Sequence, residues 1–150
     1  MKTVAIAGTF DSKGPEYAYI KDLFSEIGIK TLTIHTGVFE PLFEPDVSNE
    51  EVARAVGEDI KAIAEKKDRA LATEVLSRGM EKLIPELYEE GKFHGIIALG
   101  GSGGTSLVAP AMRALPIGVP KLIVSTMASG NVSQYVGTSD IIMMPSVVDV

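Results

Sequence analysis

The chain has 150 residues, of which 45% are hydrophobic and 23% are charged, and its formal net charge is −6 at pH 7. This length and composition are typical of one folded domain, and the acidic balance argues against a nucleic-acid partner, because phosphate backbones require clustered Lys and Arg. Cysteine is absent, which excludes disulfides, cysteine metal ligands and thiol catalysis.

The N-terminal residues predict a strand that leads into a helix. Residues 3–7 are apolar and end at Gly8, as in a strand that is buried on both faces. This run is too short for a signal peptide and no later run approaches the length of a membrane span, so we expect a cytoplasmic protein without a membrane partner. Pro15 and the helical spacing of apolar residues predict a helix over residues 15–27, which Gly28 ends.

The remaining elements are predicted from hydrophobic spacing and from the positions of glycine and proline. Residues 36–47 contain one glycine and two prolines and predict a long loop, a kind of segment that is often functional. Ser48 and Glu51 have the spacing of a capping box at the start of a helix in which Gly57 is a weak point. The predicted elements are strands over residues 30–35, 95–99, 120–125 and 141–144, helices over 48–63, from about 71 to 90 and from about 107 to 115, a solvated turn at 66–69 and a short helix before the last strand.

This alternation of strands and helices predicts an α/β fold. We expect an open, mostly parallel sheet of about five strands with helices on both faces, as in Rossmann-like or flavodoxin-like three-layer sandwiches. Residues 1–150 are predicted to form a single α/β domain. Because the last residues carry no helix cap, polar tail or stop signal, we expect the chain to be a fragment of a longer protein.

Four loops should meet at one edge of this sheet, because the carboxyl ends of parallel strands lie together and ligands bind there. The loop after the third strand is rich in glycine. Backbone N–H groups without a Cβ nearby, at the start of a helix, form a site for a phosphate or a carboxylate, and a tight structural turn is the alternative. The four loops are residues 8–14, 36–47, 100–106 and 125–131, and the candidate binding residues of the glycine-rich loop are Gly100, Gly101, Ser102, Gly103, Gly104 and Thr105.

The spacing of these glycines matches neither of the two common phosphate-binding motifs. A Walker A loop places lysine directly after glycine, whereas Lys13 in the first loop precedes Gly14. A dinucleotide fingerprint would require a third glycine at Ser106 and an acidic residue about twenty residues later, so NAD is disfavoured.

The loop after the first strand offers a second set of polar groups. The hydroxyls of Thr9 and Ser12, the carboxylate of Asp11 and the ammonium group of Lys13 could hold a phosphate with an accompanying Mg²⁺, for which Asp11 is the candidate ligand. The alternative is that Asp11 and Ser12 only cap the following helix. The loop after the fourth strand repeats the pattern, with candidate binding residues Ser125, Thr126, Ser129 and Gly130.

Three further residues have simpler interpretations. His35 and His94 have no partner at metal-ligand spacing and are interpreted as surface or strand-end histidines. Asp140 could position a hydroxyl or a metal, although a turn residue is the simpler interpretation. No catalytic residue is identified from the sequence.

Five motifs occur in order along nearly the whole chain: TFDSKGPE at residues 9–16, GGSGGT at 100–105, LPIGVPK at 115–121, STMASG at 125–130 and YVGTSD at 135–140. Together they resemble the UPF0261 family, the Tm-1-like ATP-binding domain family. The resemblance implies ATP binding, self-association into a homo-oligomer and a second α/β subdomain after Asp149, but no known reaction. Phe10 and Ser12 stand where the family pattern has Leu and Thr in many members.

The sequence therefore favours a nucleotide-binding domain in which the glycine-rich loops hold the phosphates of ATP. Two alternatives remain open. One is a metabolic enzyme domain that acts on a phosphorylated or carboxylated small molecule. The other is a structural or oligomerisation domain in which the glycines allow close packing.

Overall fold

The strands form one parallel sheet in the order β2-β1-β3-β4-β5, in a computed structural model that describes residues 2–146. The predicted α/β class is confirmed. This order is the flavodoxin-like one, in which the direction of winding reverses between β1 and β3. The strands are β1 (Thr3–Gly8), β2 (Lys30–His35), β3 (Gly95–Gly100), β4 (Lys121–Ser125) and β5 (Ile142–Pro145).

Between residues 2 and 146, six α-helices connect the strands. The long α4 contains Pro85 without ending there, and the predicted capping box of Ser48 and Glu51 is present at the start of α2. Within residues 2–146, no helix combines the length and the apolar character that crossing a membrane requires. The helices are α1 (Gly14–Glu26), α2 (Asn49–Arg54), α3 (Ile60–Glu65), α4 (Arg69–Glu89), α5 (Ser102–Arg113) and α6 (Ser133–Val136), with a 3-10 turn at Thr126–Ser129.

The single helix predicted over residues 48–63 is wrong, because the structure has two short helices there. Gly57 adopts a left-handed conformation with φ of 76°, which a continuous α-helix does not allow. Asp59 then caps α3, accepting hydrogen bonds from the backbone N–H groups of Lys61 and Ala62.

The boundary of the glycine-rich segment also differs from the prediction. Helix α5 begins at Ser102, so Gly103, Gly104 and Thr105 lie in its first turn and not in a loop. The loop between β3 and α5 therefore consists of Gly101 alone. Residues 147–150, on which the expectation of a longer protein partly rests, lie outside the described residues.

The sheet separates two apolar clusters of different size. The larger cluster lies between the sheet and helices α2 to α6, because alternate strand residues such as Ala98 and Ile123 point to that side. The smaller one is formed by Ile6, Phe10 and Tyr17 beneath α1, on the opposite side. The two faces of the sheet are therefore unequally covered in the described part of the chain.

Candidate functional site

A cleft of about 750 Å³ opens at the carboxyl ends of β1 and β3, where the strand order reverses. Reversal forces the chain to leave these neighbouring strands in opposite directions, so a crevice forms between the two exit loops. Most of the residues predicted for the first and third loops line the cleft: Thr9, Asp11, Ser12, Lys13, Gly100, Gly101, Ser102, Gly103 and Gly104.

The hydroxyl of Tyr17 lies between β1 and β3 at the base of this cleft. It donates a hydrogen bond to the carbonyl oxygen of Leu99 at 2.6 Å and accepts one from the Leu99 N–H group at 2.8 Å, with the carbonyl oxygen of Ala7 3.2 Å away. Burial raises the pKa of this phenol, so it stays protonated. Gly8 is required beside it, because a Cβ there would lie 1.9 Å from the Tyr17 ring. Tyr17 thus bridges the two strands where the cleft begins.

The first turn of α5 presents unbonded backbone N–H groups to the cleft. The first residues of a helix have no partner for their N–H groups within the helix, and the N-cap residue Gly101 has no side chain that could supply one. Thr105 is the first to bond back, its N–H donating to the carbonyl oxygen of Gly101 at 3.0 Å. The positive end of the helix dipole lies at the same place. The turn can therefore bind an anion.

Asp11 joins the loop after β1 to the loop after β2. Its Oδ1 accepts a hydrogen bond from the Ser12 N–H group at 2.9 Å, and its Oδ2 accepts one from the Phe39 N–H group at 3.1 Å. The N-cap of α1 is Lys13, and this helix start has no side-chain capping hydrogen bond, so the alternative in which Asp11 and Ser12 cap that helix is wrong. The Ser12 hydroxyl instead donates a hydrogen bond to the Thr9 hydroxyl oxygen. The loop is ordered by its own polar groups.

Two parts of the cleft wall contain no residue that was predicted to bind. Residues 36–40 line the cleft, in agreement with the prediction that their loop lies at this edge of the sheet, but none of them was named as a candidate. Arg69 and Thr73 from α4 also line it, and the charged stretch that ends in Arg69 was interpreted as a solvated turn. The Arg69 guanidinium lies 5.7 Å from the centre of the Phe39 ring. Helix α4 follows β2 along the chain, so only the crossover over β1 brings Arg69 to this edge.

The structure does not bring the loop after β4 into the cleft. Thr105 and Ser125 are fully buried, and their hydroxyls hydrogen-bond to each other at 2.6 Å, which ties α5 to β4. Thr126, Ser129 and Gly130 follow in the 3-10 turn and at its end, and they are not among the residues that line the cleft. Of these five predicted residues, Thr105 and Ser125 are buried in the fold next to the site, and the other three lie outside the cleft.

His35 and Asp140 have structural partners. His35 is fully buried at the end of β2, where its Nδ1 accepts a hydrogen bond from the Phe10 N–H group and its Nε2 donates to the carbonyl oxygen of Phe39 at 2.7 Å. It is thus a strand-end histidine but not a surface one. Asp140 pairs with the buried Lys121 and accepts a hydrogen bond from the Gly118 N–H group. The Lys121 ammonium holds the pKa of Asp140 down to about 2.

Residues 2–150 match the N-terminal domain of the uncharacterised protein family UPF0261. The chain belongs to the UPF0261 family. It is 45% identical over 150 residues to a UPF0261 protein of Clostridium tetani (strain Massachusetts / E88), and 37% identical over 149 residues to one of Rhizobium meliloti (strain 1021). Each match covers 99% of this chain but 37% of the relative, so the chain spans little more than a third of these UPF0261 proteins.

The chain also matches part of a plant protein. Over 82 residues, 55% of this chain, the chain is 50% identical to the ToMV resistance protein Tm-1(GCR237) of Solanum lycopersicum. The matched part is 11% of that protein. The ToMV resistance in this name is a property of the tomato protein.

Proposed function

We propose that this UPF0261 domain binds a nucleotide in the cleft between β1 and β3, with the phosphates at the first turn of α5. The nucleotide that the family resemblance implies is ATP. The observation that carries the proposal is that glycines line the cleft at positions, above all Gly103 and Gly104, where neither backbone conformation nor packing requires glycine.

The glycines at the start of α5 are not explained by backbone conformation or by packing. None of Gly100, Gly103 and Gly104 has a positive φ. A Cβ at Gly103 would meet no atom within 4 Å, and one at Gly104 would lie 3.6 Å from the nearest atom, which is an ordinary contact. By contrast, a Cβ at Gly79 in α4 would lie 2.1 Å from the Val52 carbonyl oxygen. At Gly103 and Gly104, the alternative in which the glycines allow close packing therefore has no support within one copy of the chain. At Gly100 it has some, because a Cβ there would lie 3.4 Å from the Cα of Gly104.

Glycine at these positions keeps the surface of the turn open to a ligand. A phosphate can approach the N–H groups of Ser102, Gly103 and Gly104 directly when no Cβ is in the way. Lys13 and Arg69 contribute positive charge to the same cleft. An anion would thus meet two cations and the positive end of the α5 dipole.

A Mg²⁺ ion would share the phosphates with Asp11. Among residues 2–146, no group of three or more His, Asp or Glu side chains could hold a metal alone. Each Asp11 carboxylate oxygen accepts one backbone hydrogen bond and keeps a free lone pair. We infer that Mg²⁺ enters with the nucleotide, bound mainly by phosphate oxygens and water.

A titration of wild type and Gly103→Ala with Mg-ATP tests this proposal. The added methyl group meets no protein atom, and alanine favours a helix over glycine by up to about 1 kcal/mol, so the fold should be unharmed. Alanine keeps the backbone N–H group, but its methyl group hinders the approach of a phosphate to it. Loss of one charge-assisted hydrogen bond in this way should weaken binding by about ten-fold or more. Calorimetry gives the affinities, and thermal melting should show stabilisation of about 2.7 kcal/mol at a hundred times the dissociation constant.

Gly130→Ala is the matched control, because a Cβ there also meets no atom within 4 Å but lies away from the cleft. Its affinity for Mg-ATP should equal that of wild type. Inorganic tripolyphosphate and a sugar phosphate, titrated in parallel, separate a nucleotide site from a site for a phosphorylated metabolite. Absence of heat and of stabilisation with Mg-ATP in wild type would contradict the proposal.

A further inference from the structure

Among the residues that the structure describes, no helix covers β4 and β5 on one face of the sheet. Helices α2 to α6 all pack in the larger cluster, on the side to which Ala98 and Ile123 point. In the part of the chain from residue 2 to 146, α1 is the one helix on the other side, and it contacts β1 and β2. The β4 and β5 residues on that side, such as Leu122 and Ile142, belong to neither apolar cluster.

The strand register places six apolar side chains on this uncovered side in two rows. Because the strands are parallel and side chains alternate, residues paired across the ladder share a face. We call this surface the open sheet face. Its first row is Ile97, Leu122 and Ile142, and its second row is Leu99, Val124 and Met144.

The open sheet face becomes more exposed toward the edge of the sheet. Ile97 and Leu99 pack partly against the cluster under α1, whereas Ile142 is 64% exposed and Met144 is 54% exposed. Parallel sheets are almost always covered by helices on both faces, and a contiguous apolar patch on a surface marks a site of interaction. The open sheet face has the composition of an interior.

We propose that the polypeptide which follows residue 150 in full-length UPF0261 proteins covers the open sheet face with the apolar side of a helix. The matched region is only 37% of the Clostridium tetani relative, so most of that protein is available to form the cover. The last described strand, β5, is the edge strand that borders the open sheet face. The described residues therefore end beside the surface that lacks a cover.

A second copy of this chain is the competing occupant, and the observations favour the continuing chain. A segment of the same polypeptide meets the face at an effective concentration in the millimolar range, without a separate association step. A helix also supplies the layer that a parallel sheet normally has on this side.

Cysteine labelling measures the cover directly, because the chain has no cysteine of its own. Met144→Cys reports on the open sheet face. Glu81→Cys is the control, because Glu81 is exposed on α4, which packs on the other face of the sheet. Maleimide labelling rates are compared between two proteins. One is residues 1–150, and the other is the same residues fused to the part of the Clostridium tetani protein that follows the matched region. Any cysteines in that added part are replaced by serine. In a second arm, that part is expressed separately and added in excess to residues 1–150.

We expect the Met144→Cys variant to react quickly in residues 1–150 and about ten-fold or more slowly in the fusion or in the mixture, while the Glu81→Cys variant reacts equally in all of them. Equal rates for Met144→Cys in a fusion with a cooperative thermal transition, together with no protection in the mixture, would overturn the proposal. So would protection in residues 1–150 alone that grows with protein concentration, since it would assign the face to a second copy. None of these rates depends on a bound nucleotide.

Discussion

At the scale of single residues, Tyr17 links the helix α1 to the two strands that frame the cleft. Its hydroxyl satisfies both backbone groups of Leu99 at the point where β1 and β3 separate. Phe10 packs edge-on against the same ring, with 5.1 Å between the ring centres. A tyrosine at helical spacing indicates a core residue from sequence, but its hydroxyl contacts are set by the sheet order.

Tyr17→Phe should lower the free energy of unfolding by about 1–3 kcal/mol, because the buried N–H and C=O groups of Leu99 lose their partner. Urea denaturation followed by circular dichroism measures the change. Tyr19→Phe, at an exposed position on the same helix, is the matched control and should be neutral. A neutral Tyr17→Phe would show that water replaces the hydroxyl.

At the scale of elements, local capping decides where the helices between β2 and β3 begin. Asp59 and Asp68 accept hydrogen bonds from the first-turn N–H groups of α3 and α4, while Gly57 ends the preceding turn. Because hydrophobic residues keep a helical spacing on both sides of Gly57, the spacing alone predicted one helix where the structure has two. The signal that could have separated them was the Gly57 and Asp59 pair, a typical stop followed by a typical cap.

Asp59→Ala should destabilise the protein by about 1 kcal/mol, since two first-turn N–H groups of α3 lose their acceptor. Asp59→Asn keeps a side-chain oxygen at that position and should retain most of the stability. Thermal melting of the two variants gives the comparison. Equal losses would mean that the charge at this position matters more than the hydrogen bonds.

At the scale of the whole molecule, the ion pair of Lys121 and Asp140 ties the start of β4 to the entry of β5. The Lys121 ammonium is buried and also donates to the carbonyl oxygens of Pro116 and Val119. Asp140 therefore supplies the countercharge for a buried cation. This pairing makes the stability of the fold depend on pH.

The pKa of Asp140 is lowered from 3.8 to about 2 by the hydrogen bond from Lys121 and then by that from the Gly118 N–H group. A carboxyl group with a lowered pKa stabilises the folded state fully above its ordinary pKa, and this contribution is lost as the pH falls through about 2. The stability difference between wild type and Asp140→Asn should thus be constant above about pH 4 and shrink toward pH 2. Denaturation curves at a series of pH values measure it, and a constant difference would refute this pKa.

Much of the fold could be predicted from local patterns. The alternation of short apolar strands and helical spacing depends on periods that neighbouring residues carry, so element types and the α/β class were correct. The glycines after β3 and the polar loop after β1 were singled out for the same reason. Both line the cleft.

The rest of the candidate site depends on contacts between distant parts of the chain. Arg69 reaches the cleft through a crossover, and the hydroxyls of Thr105 and Ser125 bond to each other because α5 packs against β4. The uncovered side of β4 and β5 likewise follows from which helices pack on which face. The sequence by itself determined the strands, the helices and the polar loops, since these depend on near neighbours. Only the tertiary structure decided which loops form one cleft, because strand order is a property of the whole sheet.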